Sequence, residues 1–69
     1  MSKVTIFVNG KARQVDAGIS IPDLIAEVQI PNKMLLVEYN GTALLKSKWD
    51  QTAVEHGDRI ELMKMVAGG

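Results

Sequence analysis

The chain ends Val66-Ala67-Gly68-Gly69, and here its residue types leave most room for chemistry. Glycine makes up about 7% of residues, so a terminal Gly-Gly pair arises by chance in only ~0.5% of chains. Lacking a Cβ, Gly68 and Gly69 can thread a narrow channel and take backbone angles that other residues avoid. Val66 and Ala67 offer modest side chains for register. A frayed end or a cloning remnant is the competing reading of such a pair taken alone.

The usual catalytic signals fail elsewhere. His56 is the only histidine and adjoins Gly57-Asp58, which marks a polar turn residue rather than a catalytic base. Cysteine is absent, so the chain supplies no thiolate, and one histidine among scattered carboxylates has no metal-ligand spacing. Neither a Walker pattern nor GxGxxG occurs, so no bound metal or cofactor is expected. Lys46 and Lys48 flank Ser47 beside Trp49, a combination able to stack on single-stranded nucleic acid. Against that, 8 basic residues balance 8 acidic ones, leaving no net charge to steer the chain toward nucleic acid or a membrane surface. Trp49 is instead expected to fold back as an anchor of a small core.

At 69 residues, 46% of them apolar, the chain fits one domain with one core. No apolar run approaches the ~20 residues needed to cross a bilayer, and the N-terminus has no signal-like apolar stretch. With no cysteine to form disulfides, the expectation is a soluble cytoplasmic protein.

The elements that would position the tail follow from periodicity. Val4, Ile6 and Val8 alternate along a first strand over residues 3–9, and Asn9-Gly10 suits a tight hairpin into a second strand over 11–15. Alternating charge and short side chains on that second strand suit a sheet edge. Ile21, Leu24, Ile25 and Val28 form one helical stripe behind Ser20, with Pro22 in the first turn and Pro31 closing the segment, so a helix is expected over 21–29. Residues 34–39 read as a third strand ended by Asn40-Gly41. Residues 42–51 have no clean period and suggest a short strand followed by an irregular crossing. A last strand over 59–65 follows the Gly57-Asp58 turn.

So short a chain can bury its helix stripe only against one face of a single sheet, which makes the fold class α+β. The order β-β-α-β-(β)-β, with the last strand beside the first, is the β-grasp of ubiquitin: four to five strands in a mixed sheet on one main helix. Residues 1–65 form that domain and 66–69 a flexible tail. Strand parity turns Ile60 and Leu62 toward the helix and Phe7, Met63 and Met65 to the opposite face, where an apolar patch is expected as a partner interface.

The segments Val37-Glu38-Tyr39-Asn40-Gly41, Lys48-Trp49, His56-Gly57-Asp58-Arg59-Ile60-Glu61 and Val66-Ala67-Gly68-Gly69 together resemble the ubiquitin-like sulfur carrier family of thiamine biosynthesis. The resemblance covers nearly the whole chain, the N-terminal half mainly through element order. It implies that an adenylating enzyme related to the ubiquitin-activating enzymes uses ATP to convert the Gly69 carboxylate to an acyl-adenylate. A persulfide sulfur donor then displaces AMP, and the resulting thiocarboxylate gives its sulfur to thiazole synthase. The carrier itself turns over nothing. The need for activation is chemical: an α-carboxyl has a pKa of about 3.5, so at pH 7 it is an anion that resists nucleophiles until one oxygen joins a good leaving group.

Two alternatives share these features. The small sulfur-carrying subunit of molybdopterin synthase also ends in Gly-Gly on a β-grasp, though its members are usually longer and the Asn-Gly and tryptophan segments fit the thiamine carrier better. A ubiquitin-like interaction module whose terminus is never activated would have the same fold, because fold alone does not assign function.

Overall fold

The computed structural model describes residues 2–30 and 35–64. Strands β1 (Lys3–Val8) and β2 (Lys11–Asp16) form the N-terminal hairpin, and helix α1 (Ile21–Val28) follows. Next come β3 (Leu35–Tyr39), β4 (Thr42–Leu44), a 3₁₀ turn (Lys46–Gln51) and β5 (Arg59–Lys64). The five strands form one sheet in the order β2-β1-β5-β3-β4. β5 runs parallel to β1 and antiparallel to β3, so the strand leading to the chain's end is the central one. This is the β-grasp arrangement expected from the element order.

Local chemistry accounts for each boundary. Asn9 and Gly10 take φ of 51° and 82°, and Asn40 and Gly41 take 51° and 87°, so both hairpins use consecutive left-handed residues, which match the twist of the strands they join. The Ser20 hydroxyl accepts from the Asp23 N–H at 3.2 Å and caps the helix. Pro22 sits in the first turn, where the absence of an N–H costs nothing. The helix stops at Val28, one residue earlier than expected, because Gln29 turns left-handed at φ 59° and donates its N–H to the Ala26 carbonyl.

One face of the sheet carries the core. Ile6 and Val15 from the hairpin, Val37 from β3, and Ile60 and Leu62 from β5 are buried against Ile21, Leu24 and Ile25 of the helix stripe, while Val28 is partly buried. Each such aliphatic side chain contributes about 1.5–3 kcal/mol by leaving water. The aperiodic stretch resolves into β4 and the 3₁₀ turn, which drops Trp49 into the core at 4% exposure. Its indole Nε1–H donates to the Leu44 carbonyl at 3.2 Å, so the burial leaves no polar atom unpaired. Lys46 lies over the indole ring, 5.8 Å from its centroid, which accounts for the lysine beside the tryptophan within the fold itself. Val54 completes the core and is tied by backbone hydrogen bonds to Gly18 and Ile19 at the approach to the helix. β2 is a sheet edge, as its composition suggested.

Candidate functional site: the end of the central strand and the face beside it

β5 is held along both flanks. On the β3 side the pairing runs from Tyr39 opposite Ile60 to Leu35 opposite Lys64. On the β1 side it runs only from Phe7 beside Arg59 to Val8 beside Ile60, because the chain turns away at Asn9-Gly10. Side chains of the two hairpin asparagines then continue the ladders. Asn9 Oδ1 accepts the Leu62 N–H at 2.8 Å and its Nδ2 donates to the Leu62 carbonyl at 3.4 Å. On the other flank Asn40 Oδ1 accepts the Arg59 N–H at 2.8 Å, while the Asn40 N–H donates to the Arg59 carbonyl at 2.8 Å.

A polar knot secures the turn that feeds β5. Asp58 accepts from the Glu55 N–H at 2.8 Å, from Asn40 Nδ2 at 3.2 Å and from the Tyr39 hydroxyl. Burial alone would raise the Asp58 carboxyl, but these three donors outweigh it and hold it below its ordinary value. Burial, and then the hydrogen bond to the Asp58 carboxylate, push Tyr39 up to about 12. His56, in the same turn, accepts the Thr5 N–H on Nδ1 at 3.1 Å, so it acts here as a backbone partner for β1. The sequence placed His56 in a turn and overlooked Tyr39 and Asp58, since neither shows its role until β3 and the turn are neighbours.

The Tyr39–Asp58 bond has a testable pH signature. A proton bound more tightly in the folded state stabilises the fold fully below pH 10, and that contribution is lost as pH rises from about 10 through about 12. Tyr39→Phe is therefore expected to lower stability by about 1 kcal/mol at pH 7 and to remove this alkaline loss. Urea unfolding of both proteins at pH 7, 9 and 11 measures it; a constant difference across the series would rule out the linkage.

On the outer sheet face two of the three residues expected in the patch, Phe7 and Met63, lie apart. Phe7 does lie there at 37% exposure, but its neighbour is Arg59, whose guanidinium sits 5.9 Å from the ring centroid. Met63 is four residues further along β5, roughly 13 Å away at strand rise, with Glu61 between. The two residues therefore do not form one patch. Met63 instead pairs with Leu36 of β3, itself 38% exposed, and the next rung on this face pairs Glu38 with Glu61. Leu36 was missed because its strand neighbour is decided by register across the sheet, which no spacing in the sequence encodes.

Met65, Val66, Ala67, Gly68 and Gly69 lie outside the described residues. Because a residue spans at most about 3.6 Å, residues 65–69 can carry the chain no further than roughly 18 Å from Lys64. The outer end of β5, with Leu36 and Met63 on its face, is thus the part of the described domain from which residues 65–69 continue in sequence. Among the described residues no cavity forms and no three His, Cys, Asp or Glu side chains gather as a metal site. No helix among them is long and apolar enough to cross a membrane.

The model of the ThiS family matches residues 6–69, from the core of β1 through to Gly69. The chain belongs to the ThiS family. Its fold agrees with the crystal structure of the thiamine biosynthesis protein ThiS from Geobacter metallireducens, with a TM-score of 0.84 and 29% identity over 96% of this chain and 100% of that one. The NMR structure of a thiamine biosynthesis protein from the same organism superposes with a TM-score of 0.75 at 29% identity, covering 96% of this chain and 88% of that one. Among curated relatives, the uncharacterized protein ycf40 of Trieres chinensis is 29% identical over 65 residues, covering 94% of this chain and 89% of that protein. A thiazole synthase of Paramagnetospirillum magneticum is 30% identical over 64 residues, 93% of this ThiS-family chain but only 20% of the synthase. The ThiS-family chain thus spans about a fifth of that enzyme's length.

Proposed function

We propose that this chain is the sulfur carrier of thiazole formation in thiamine biosynthesis, and that Gly69 is its reacting residue. The observation that carries the reading is the family match, which extends over residues 6–69, to Gly69, on a β-grasp domain. An adenylating enzyme spends ATP to make the Gly69 acyl-adenylate; a persulfide attacks the acyl carbon and AMP leaves with the carboxylate oxygen. A thiol then attacks the donor's sulfur in the resulting acyl disulfide; the S–S bond breaks, the donor leaves as a disulfide with that thiol, and Gly69 keeps the thiocarboxylate, whose sulfur passes to thiazole synthase. ATP belongs to the partner enzyme, and the carrier acts as its co-substrate.

The domain's part is presentation. A central strand held on both flanks offers a firm base for a short, narrow end, while Leu36 and Met63 beside it give the partner enzymes an apolar foothold. Phe7 and Arg59 supply a second, separate contact on the same face. Replacing one carboxylate oxygen by sulfur adds ~16 Da. Intact-mass spectrometry of the protein co-expressed with an adenylating enzyme and a persulfide source is expected to show that increment, located on the C-terminal peptide; an unmodified end under those conditions would refute the carrier reading. The thiamine assignment is favoured over a molybdopterin carrier by the likeness to solved thiamine biosynthesis proteins along nearly their whole length.

A further inference from the structure

We propose that Asn9 is a positioning residue for the reacting end: its side chain extends the two-sided support of β5 to Leu62, toward the segment that carries Gly69. The inference rests on the proposed role of Gly69. β5 has a full neighbour on the β3 side out to Lys64, but its other flank loses β1 at the Asn9-Gly10 turn. A continuing strand would offer a backbone carbonyl to the Leu62 N–H. Asn9 offers its side-chain carbonyl instead, at 2.8 Å, and returns a donor to the Leu62 carbonyl. The amide therefore substitutes for one missing rung and carries two-sided support two residues past Ile60. Without it, the half of β5 nearest the chain's end would be held by β3 alone.

Asn40 makes this testable, because it is the same residue type in the same kind of turn. It has the same φ of 51°, precedes a glycine, and accepts a β5 N–H through Oδ1 at 2.8 Å. Its side-chain partners, however, are Arg59 and Asp58, at the start of β5, the opposite end of the strand from Lys64. Glycine tolerates the positive φ at either position, so Asn9→Gly and Asn40→Gly keep both turns and delete one clamp each. Asn9→Asp keeps the acceptor for the Leu62 N–H but sets a carboxylate oxygen against the Leu62 carbonyl in place of the longer bond. A merely structural role predicts that the two glycine variants behave alike. A positioning role predicts that only loss of the Asn9 clamp disturbs the end, because an end that samples more directions loses more freedom on entering an active site.

The experiment combines amide hydrogen exchange with ATP–pyrophosphate exchange catalysed by the adenylating enzyme from the same source. Asn9→Gly should speed exchange of the Leu62 amide about tenfold beyond any global change. It should also raise the carrier's KM about fivefold with kcat unchanged, the pattern of lost binding without lost chemistry. Asn9→Asp should return both values part of the way to wild type, and Asn40→Gly should change neither. Equal KM increases in the two glycine variants, or faster Leu62 exchange with an unchanged KM, would overturn the assignment while leaving the carrier function standing. A wild-type chain inert toward the enzyme would overturn the carrier reading itself, and this inference with it.

Discussion

Deleting Gly69, or adding one residue after it, is expected to abolish ATP–pyrophosphate exchange with the adenylating enzyme. Deletion moves the carboxylate back by one residue, up to about 3.6 Å, and loss of near-attack geometry by as little as 1 Å can cost ~10²-fold in rate. Addition converts the Gly69 carboxylate to an amide carbonyl, which offers no anionic oxygen to attack ATP. Neither change alters a core residue, the last of which among the described residues is Leu62. Both variants should therefore unfold at the wild-type urea midpoint. Normal exchange by the deletion variant would remove Gly69 from the mechanism.

Leu36→Asp combined with Met63→Asp is expected to weaken binding to both the adenylating enzyme and thiazole synthase by more than 100-fold, about 2.7 kcal/mol or more. The two side chains face one another across β3 and β5 on the outer sheet face, Leu36 at 38% exposure. Truncating such apolar contacts at the centre of an interface commonly costs 2 kcal/mol or more, and an unpaired carboxylate placed there adds a desolvation penalty. Two aspartates would also join Glu38 and Glu61, already opposed on the adjacent rung, so repulsion lowers stability by roughly 1 kcal/mol. Phe7→Asp provides the internal comparison: its ring lies against Arg59, apart from the Leu36–Met63 pair, and it should weaken binding less. Calorimetric titration of each folded variant against each enzyme measures the effect. Wild-type affinity of the double variant for both enzymes would remove this face from the interface.

Periodicity and turn chemistry were enough to read β1, β2, β3, β5, the helix and the first hairpin, because alternation of Val4, Ile6 and Val8, the stripe of Ile21, Leu24 and Ile25, and the Asn9-Gly10 pair act over a few residues, whereas residues 42–51, without a period, left β4 and its hairpin with β3 to the fold. Element order then implied the sheet, since so short a chain has one way to cover its helix. The Gly-Gly end was likewise legible as a motif, and its meaning came from resemblance. Tertiary structure alone decided which outward residues meet. Register across β5 separates Phe7 from Met63 and brings Leu36 to Met63, and pairing register is a property of two strands that neither one carries in its own pattern. The same holds for asparagine. In sequence Asn9 and Asn40 signal positive φ and nothing more, but once β5 lies between the two hairpins their amides become its outer rungs at Leu62 and Arg59. A turn preference is local. A hydrogen bond between residues 53 apart exists only when the fold brings them together.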